Sequence, residues 1–332
     1  MGTNGSQRTN VVFGGAGFIG THLCARLRAT QPDATVVAVD CAPPDSPVAG
    51  VDYRALDVRA PIPVDLVAAD GRRLALYNLA AVHRTPGHPT HEYYETNVLG
   101  ALNVNEFARQ TGAQEIIFTS SIAVYGPDEG RKIETSPPQP TSAYGWSKWL
   151  AEEVHRYWYR ETPGRRLTIV RPAVIFGPGE RGNFTRLATA LGRGTFFFPG
   201  RRDTIKGCGY VGELVRAMDF VHDRNESEAL FNFCYSRDYT IAEICDAFHR
   251  VGMLKRPVGT VPLSLMLFAG FGFEVLNSLG LRNSISRERI RKLVVSTNIE
   301  PGTLQRMGYD YETDLEEGLR RWQEAVPTGA FV

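Results

Sequence analysis

The 332-residue sequence lacks the cysteine pairs of disulfide-bonded or metal-binding proteins and the excess positive charge of nucleic-acid-binding proteins. It has no C-x-x-C pair, and its five cysteines are scattered and odd in number, which is typical of reduced thiols in a cytoplasmic protein. Lysine and arginine number 37 against 36 acidic residues, a formal charge of +1, so no nucleic-acid-binding surface is indicated. We therefore expect any bound anion to be held by local geometry rather than by net charge.

Two stretches bear on export and membranes. Residues 1–9 are polar and lack the apolar core of a signal peptide, so they predict a disordered leader. Val258 to Phe273 is uncharged but too short to span a bilayer. We predict a buried helix there and consider membrane association improbable; the alternative is a peripheral lip that contacts lipid or an apolar substrate.

Short apolar runs alternate with longer amphipathic runs, a pattern typical of β-α-β units in a parallel sheet. Strands are predicted at Val11 to Phe13, Thr35 to Val39, Val51 to Leu56, Leu74 to Leu79, Glu115 to Ser120, Leu167 to Val170 and Ala229 to Cys234. Helices are predicted at Phe18 to Ala29, Tyr93 to Thr111, Ala143 to Glu161, Gly212 to His222, Ile241 to Val251 and Asp314 to Glu324. The fold class is α/β, a doubly wound parallel sheet with helices on both faces.

The motif Gly14-x-x-Gly17-x-x-Gly20 follows the first strand and opens the first helix. This context is typical of a dinucleotide site, because the glycines allow a tight turn and the helix N-terminus offers N–H groups to a pyrophosphate. Asp40 ends the second strand, where a carboxylate would bind ribose hydroxyls and repel a 2′-phosphate. The cofactor is therefore predicted to be NAD, although Arg26 and Arg28 leave NADP open.

Further cofactor contacts are expected along the same edge of the sheet. Asp57 and Val58 follow the third strand, where an adenine edge could lie, although a plain surface aspartate is the alternative. Small residues end the fourth strand and leave room for a dinucleotide. The additional predicted contacts are Phe18, Ile19, Leu79, Ala80 and Ala81. These patterns predict an NAD-binding Rossmann domain over 10–176, rejoined by 210–236, and a smaller discontinuous substrate domain over 177–327.

Tyr144 and Lys148 are four residues apart, so on a helix both project from one face. An ammonium beside a desolvated phenol would lower the pKa of that phenol and make it a general base. Ser121 is the predicted donor to the reacting substrate oxygen, with Ser120 as the alternative. Ser121, Tyr144 and Lys148 are therefore the predicted catalytic residues, and the last two also belong to the cofactor site.

Taken together, the motifs resemble the extended short-chain dehydrogenase/reductases, specifically the NAD-dependent nucleotide-sugar epimerases and dehydratases. The resemblance runs from Val11 to about Trp322. Besides the motifs above it includes Asn97-Val98-x-Gly100, Val124-Tyr125-Gly126, Arg171-Pro172, Phe176-Gly177-Pro178 and Leu315-Glu316-Glu317-Gly318-Leu319. It implies a nucleotide-diphosphate sugar substrate and a homodimer formed through the helices at Tyr93 to Thr111 and Tyr144 to Glu161.

The resemblance also implies roles for individual residues. Asn97 would belong to the cofactor site and support the active-site strand, and Lys148 would bind the nicotinamide ribose. Asn183 and Lys206 would reach the diphosphate. Lys206 stands where the family usually has arginine, so the positive charge is kept but the two-point hydrogen bonding of a guanidinium is lost. Tyr210 and Arg287 are further candidates for the nucleotide pocket.

The loop after Ala81 carries His83, Arg84, His88 and His91. Because no cysteine or carboxylate set accompanies these histidines, we predict no metal site there. The loop is either simply solvated, or His83 and Arg84 contact the sugar.

Ile122 and Ala123 occupy the positions at which the family's 4,6-dehydratases carry an Asp-Glu pair. Neither side chain can move a proton, so elimination is disfavoured, as is decarboxylation, for which the relatives use a glutamate in this turn. The predicted reaction is epimerisation through oxidation of a sugar hydroxyl, most simply at carbon four. The alternatives are a net 4-dehydrogenase or 4-keto reductase, an enzyme acting on a lipid-linked sugar or steroid-like alcohol, and a regulator that binds NAD without turnover.

Overall fold

A parallel sheet of seven strands forms the centre of the protein. The structure, a computed structural model, describes residues 8–84, 87–268 and 294–332. The strands are β1 (Arg8–Phe13), β2 (Thr35–Asp40), β3 (Asp52–Ala55), β4 (Arg73–Asn78), β5 (Glu115–Thr119), β6 (Asp128–Lys132), β7 (Arg166–Pro172), β8 (Val174–Phe176), β9 (Phe198–Pro199), β10 (Cys208–Tyr210), β11 (Glu228–Phe233), β12 (Thr260–Val261) and β13 (Thr297–Ile299). The large sheet has the order β11-β7-β5-β4-β1-β2-β3.

Helices connect these strands. They are α1 (Phe18–Thr30), α2 (Thr90–Tyr94), α3 (Gly100–Thr111), α4 (Ala143–Glu161), α5 (Asn183–Arg193), α6 (Val211–Asp223) and α7 (Ile241–Gly252), followed by Gly302–Arg306 and Leu315–Ala325. A π-helical turn, Glu95–Leu99, joins α2 to α3. The single helix predicted from Tyr93 therefore begins at Thr90 and contains this widened turn. Short 3₁₀ turns occupy Val64–Leu66 and Ile122–Tyr125.

Alternating side chains of the sheet pack on two hydrophobic layers. Val12 belongs to the layer that includes residues of α1 and α6, whereas its neighbours Val11 and Phe13 belong to the layer that includes residues of α3 and α4. This alternation follows from the two-residue period of a strand. Helices on both faces and a parallel sheet confirm the predicted Rossmann class.

The edge strand β11 comes from the C-terminal half of the chain and pairs in parallel with β7. Three two-stranded sheets, β10-β8, β12-β9 and β13-β6, accompany the second half. A separate aromatic cluster lies there, including Phe176 stacked on Phe184 at 4.6 Å between ring centroids. The division into two domains stays a prediction.

Two expectations from the sequence need correction. The leader was predicted to reach residue 9, but β1 begins at Arg8, because Arg8 pairs with Glu115 at 2.6 Å. Residues 1–7 lie outside the described residues. Val258 to Phe273 was predicted to be a buried helix. Its described part, 258–268, contains instead β12 and a helical stretch at 263–268, and the side chains of Val258, Leu265 and Phe268 are exposed. Residues 269–273 lie outside the described residues.

Candidate active site

The turn between β1 and α1 is compact because glycines fill it. Gly14 has a positive φ of 79°, and a Cβ placed on it would lie 2.7 Å from the Ala80 nitrogen at the end of β4. A Cβ on Gly20 would lie 2.1 Å from the Gly14 carbonyl oxygen. Helix α1 begins after Gly17 without a side-chain cap or an acidic residue in its first turn. Its N-terminal N–H groups can therefore bind a pyrophosphate, and the residues present fit NAD.

Asp40 ends β2 next to this turn. Its carboxylate accepts hydrogen bonds from the backbone nitrogens of Ala16, at 3.1 Å, and Ala42, at 3.2 Å. The half-buried carboxylate is thereby fixed beside the glycine turn. This placement suits an acceptor for ribose hydroxyls.

Other residues of the predicted cofactor set lie at the same strand ends. Asp57 pairs with Arg59 at 2.6 Å, and this bond lowers the pKa of the Asp57 carboxyl. Val58 is buried and would contact a Cβ placed on Gly100 at 2.9 Å. Leu79 donates its backbone N–H to the Phe13 carbonyl, which ties the end of β4 to β1. Phe18, Ile19, Leu79, Ala80 and Ala81 are all half-buried.

Helix α4 carries Tyr144 and Lys148 close to the end of β5. Ser142 caps the helix by accepting the Gly145 N–H, and a Cβ on Gly145 would lie 2.5 Å from the Ala123 carbonyl oxygen, so only glycine allows this approach. Lys148 is buried, and its ammonium donates to the Thr119 carbonyl at 2.7 Å. Burial lowers the pKa of Lys148 to about 7, while the negative charge of Glu152 acts in the opposite direction.

Ser121 is the side chain that acts on the Tyr144 phenol, because hydrogen bonding to it opposes the rise in the Tyr144 pKa. Ser120, the alternative considered from sequence, is engaged elsewhere, because its hydroxyl donates to Glu152 at 2.5 Å in a buried position. The structure therefore brings Ser121, rather than Ser120, to the phenol.

The lowering of the Tyr144 pKa by Lys148 stays a prediction for the enzyme with its cofactor bound. Burial raises the pKa of Tyr144, and the bond with Ser121 only partly opposes this effect. The Lys148 ammonium is held on the Thr119 carbonyl, and burial lowers its own pKa.

Asn97 lies in the π-helical turn and connects two parts of the site. Its amide donates to the Ser147 hydroxyl at 2.8 Å and to the Val82 carbonyl at 3.1 Å, and it accepts the Val82 N–H at 2.9 Å. Asn97 was expected to support the active-site strand. It holds instead the segment after β4 against α4, because the widened turn aims its amide there.

His83 and Arg84 follow this anchored segment. Although His83 is exposed overall, the protein packed around its ring lowers its pKa, and the charges of Lys148 and Arg84 act in the same direction. Tyr93 donates a hydrogen bond to the Arg84 carbonyl, and its ring lies 6.4 Å from that of Tyr144. These contacts place the loop on the Tyr144 side of α4.

The predicted substrate residues of the second half have partners of their own. Asn183 begins α5, is exposed and accepts from Arg186 at 2.8 Å. The Lys206 ammonium donates to the Val295 carbonyl at 2.8 Å, and burial lowers the pKa of Lys206 to about 8. Tyr210 is half-buried against Phe176, with 5.9 Å between ring centroids. Arg287 lies outside the described residues. Among the hydrogen bonds of the described residues, none joins Asn183 or Lys206 to the Ser121–Tyr144 pair.

Sequence reasoning missed a buried ion pair beneath the site. The Glu152 carboxylate accepts two hydrogen bonds from Arg171, at 2.8 and 2.6 Å, in addition to the bond from Ser120. Arg171 also donates to the Tyr125 hydroxyl at 2.8 Å. The spacing of Glu152, four residues after Lys148 on one helix face, indicates that Glu152 lies near the lysine, but it does not indicate the pairing with Arg171.

No group of three or more potential metal ligands occurs in the parts of the chain that the structure describes. The predicted absence of a metal site stays a prediction. The arrangement that the structure does show combines a glycine turn at an uncapped helix N-terminus, an ordered carboxylate, and a phenol on which Ser121 acts. Such an arrangement can bind a dinucleotide and transfer a proton to or from an alcohol.

Comparison with known proteins gives relatives along most of the chain. An N-acetyl-alpha-D-glucosaminyl-diphospho-ditrans,octacis-undecaprenol 4-epimerase of Escherichia coli O157:H7 is 33% identical over 246 residues, which cover 73% of this chain and 74% of that protein. A UDP-glucose 4-epimerase of Rhizobium meliloti strain 1021 is 29% identical over 279 residues, covering 76% and 84%.

Solved structures agree on the fold. MoeE5 in complex with UDP-glucuronic acid and NAD has a TM-score of 0.73 and 25% identity, covering 96% of this chain and 99% of that one. A UDP-N-acetylglucosamine 4-epimerase from Methanobrevibacter ruminantium M1 has a TM-score of 0.76 at 18% identity, covering 96% and 97%, and shows the fold alone. The model of the NAD dependent epimerase/dehydratase family matches residues 10–239. Because this match spans more than half of the chain, the protein belongs to the NAD-dependent epimerase/dehydratase family.

Proposed function

We propose that the protein is an NAD-dependent 4-epimerase of a sugar linked to a diphosphate, with a nucleotide-diphosphate sugar as its substrate. The observation that carries this proposal is the position of Tyr144 and buried Lys148 on α4 at the end of β5, next to Ser121 and on the same edge of the sheet as the glycine turn. The curated relatives that act on diphosphate-linked sugars support it.

Each residue of the constellation has a separate task. Ser121 donates to the sugar oxygen and fixes its position, and Tyr144 takes the proton of that hydroxyl and later returns it. Lys148 supplies positive charge close to the phenol and holds the nicotinamide ribose. NAD held at the glycine turn would supply the hydride acceptor and donor, and its positive charge near Tyr144 would favour the phenolate over the phenol.

The turn after β5 supports epimerisation over elimination. Ile122 and Ala123 open the 3₁₀ turn that follows Ser121, and neither side chain can donate or accept a proton. Because Tyr144 is then the one acid–base group, the simplest reaction oxidises the sugar alcohol to a ketone and returns the hydride to the opposite face of the same carbon. A net dehydrogenase or reductase would use the same three residues.

A direct assay separates these reactions. Purified protein is incubated with UDP-glucose, UDP-N-acetylglucosamine or UDP-glucuronic acid, while NADH absorbance and the sugar configuration are followed. An epimerase converts the sugar to its 4-epimer without lasting NADH. Stoichiometric accumulation of NADH together with a keto sugar would show a net dehydrogenase instead.

A second candidate substrate is a sugar on a polyprenyl diphosphate. The relative from Escherichia coli O157:H7 is named for such a substrate, and the described part of 258–268 exposes apolar side chains. The same assay with N-acetylglucosamine on a short-chain polyprenyl diphosphate tests this candidate. A higher kcat/KM for the lipid-linked sugar than for the UDP sugar would select it.

We further propose a cytoplasmic homodimer in which 10–176 with 210–236 binds NAD and 177–327 binds the sugar. Five free cysteines support a reducing location. Leu102 on α3 and Trp146 and Tyr157 on α4 are exposed large side chains, which supports pairing of these helices between subunits. Sedimentation velocity tests the dimer: Leu102→Glu should give monomers, and unchanged dimers would refute this interface.

A further inference from the structure

One surface of the second half combines exposed apolar and basic side chains. We call this surface the rim and define it as residues 193–202 and 253–268. It comprises the end of α5, β9, the segment after α7, β12 and the helical stretch at 263–268. None of its residues belongs to the proposed catalytic set.

Backbone contacts join the two segments of the rim. The Val258 N–H donates to the Phe196 carbonyl at 2.9 Å, and the Phe198 N–H donates to the Gly259 carbonyl at 2.8 Å. Strand pairing continues the contact, because β12 and β9 run in parallel. The rim is thus one continuous surface although its two parts are far apart in sequence.

Apolar side chains of the rim point away from the protein. Phe268 is 76% exposed, Val258 74% and Leu265 58%. Phe197 is exposed as well, whereas its neighbour Phe198 is buried. Exposed apolar side chains gathered on one surface, in contrast to scattered single ones, mark a binding surface.

The charges of the rim have one sign. Its two segments contain five cations and no aspartate or glutamate. Arg201 pairs with Asp203 and Glu129, which lie outside the rim. The other four, for which no ion pair is found among the described residues, are Arg193, Arg202, Lys255 and Arg256. Since the whole chain carries only +1, this local excess stands out.

We propose that the rim binds the surface of an anionic lipid bilayer, with its apolar side chains inserted among the acyl chains and its cations on the headgroups. The combination matches a peripheral membrane surface, because neither a few apolar side chains nor a few cations alone gives firm binding. Among the described residues, no helix combines the length and hydropathy needed to cross a bilayer. The contact is therefore peripheral. It holds for either proposed sugar substrate.

Co-sedimentation with vesicles tests the proposal. The full chain is mixed with vesicles of phosphatidylcholine alone or of phosphatidylcholine with phosphatidylglycerol. We expect binding to the anionic vesicles only, and weaker binding as salt is raised. The Leu265→Asp/Phe268→Asp and Lys255→Glu/Arg256→Glu variants should each lower the partition coefficient about tenfold or more, because each removes one of the two contributions.

Controls keep the outcome interpretable. Val64→Asp replaces an exposed apolar residue outside the rim, in the 3₁₀ turn before β4, and should bind vesicles like the wild type. Circular dichroism and vesicle-free turnover of a UDP sugar confirm that each variant is folded.

Absence of binding to anionic vesicles, or equal binding by the rim variants, would overturn the proposal. So would a concentration-dependent self-association that only the rim variants lose, because the rim would then bind a second copy. Vesicle binding and UDP-sugar turnover are separate readouts, so a failure here is distinguishable from a failure of the proposed function.

Discussion

Removing the charge of Glu152 should lower the free energy of unfolding and also lower the pKa of Lys148. Glu152 is fully buried and is hydrogen-bonded to Ser120 and twice to Arg171, which is buried too. Glu152→Gln keeps the size of the side chain but leaves the Arg171 guanidinium without a counter-charge. Breaking a buried ion pair from one side costs about 3–5 kcal/mol.

Urea unfolding measures this loss, because the midpoint and slope give the free energy of unfolding. Glu153→Gln is the matched control. Glu153 is the adjacent residue on α4, but it is exposed and pairs only at the surface with Arg156 at 2.7 Å. Its loss should change the free energy of unfolding by about 0–1 kcal/mol. Adding Arg171→Met to Glu152→Gln should restore part of the stability, because the unpaired charge is then removed.

The same variant should alter the pH dependence of turnover. Burial lowers the pKa of Lys148 to about 7, and the Glu152 charge opposes this lowering. Without that charge Lys148 loses its proton at a lower pH, so the alkaline limb of the pH–rate profile should move to lower pH, while Glu153→Gln leaves it in place. A Glu152→Gln protein that is as stable as the control, with an unshifted profile, would refute the reasoning.

Three further substitutions test other parts of the structure. Tyr144→Phe should lower epimerase kcat about 10²–10⁴-fold while NAD binding persists, and a smaller loss in a rapid-quench assay would remove Tyr144 as the base. Gly20→Ala should abolish NAD binding in a calorimetric titration, because its Cβ would lie 2.1 Å from the Gly14 carbonyl oxygen; wild-type affinity would contradict the close packing. Burial lowers the pKa of His155 to about 3, so between pH 6.5 and 3 the unfolded chain binds one proton more than the folded protein. The free energy of unfolding should therefore fall by about 1.4 kcal/mol for each pH unit by which the pH is lowered in this range. The free energy of unfolding, measured with urea at several pH values, should depend less on pH in His155→Gln than in the wild type, by the equivalent of one proton. An equal pH dependence in the two proteins would show that His155 titrates normally.

The sequence was sufficient for the parts of the fold that depend on local patterns. Phe18 to Ala29 was predicted from helical spacing and the helix is Phe18–Thr30, while α4 lies within the predicted bounds. The glycine spacing also predicted the tight turn that the structure shows, because each glycine acts within a few residues.

Features that depend on distant residues were not predicted. Glu152 and Arg171 meet only because α4 packs beside β7, and no local pattern specifies that contact. The burial that raises the pKa of Tyr144 and the bond from Lys148 to the Thr119 carbonyl were not predicted, since both are set by tertiary packing. The exposure of side chains in 258–268 was not predicted, because an uncharged apolar sequence is compatible with both a buried and an exposed segment.

The late arrival of β11 has a consequence for synthesis on the ribosome. Until residues 228–233 emerge, the outer edge of β7 has unpaired backbone groups, and the Tyr125 hydroxyl lacks Asn232, its partner at 2.8 Å. A truncated protein that ends near residue 176 would therefore expose an unpaired strand edge, which can pair with other chains and cause aggregation. The apparent border between the two halves is thus a poor place to split the gene, whereas cuts after Phe233 would leave a complete sheet.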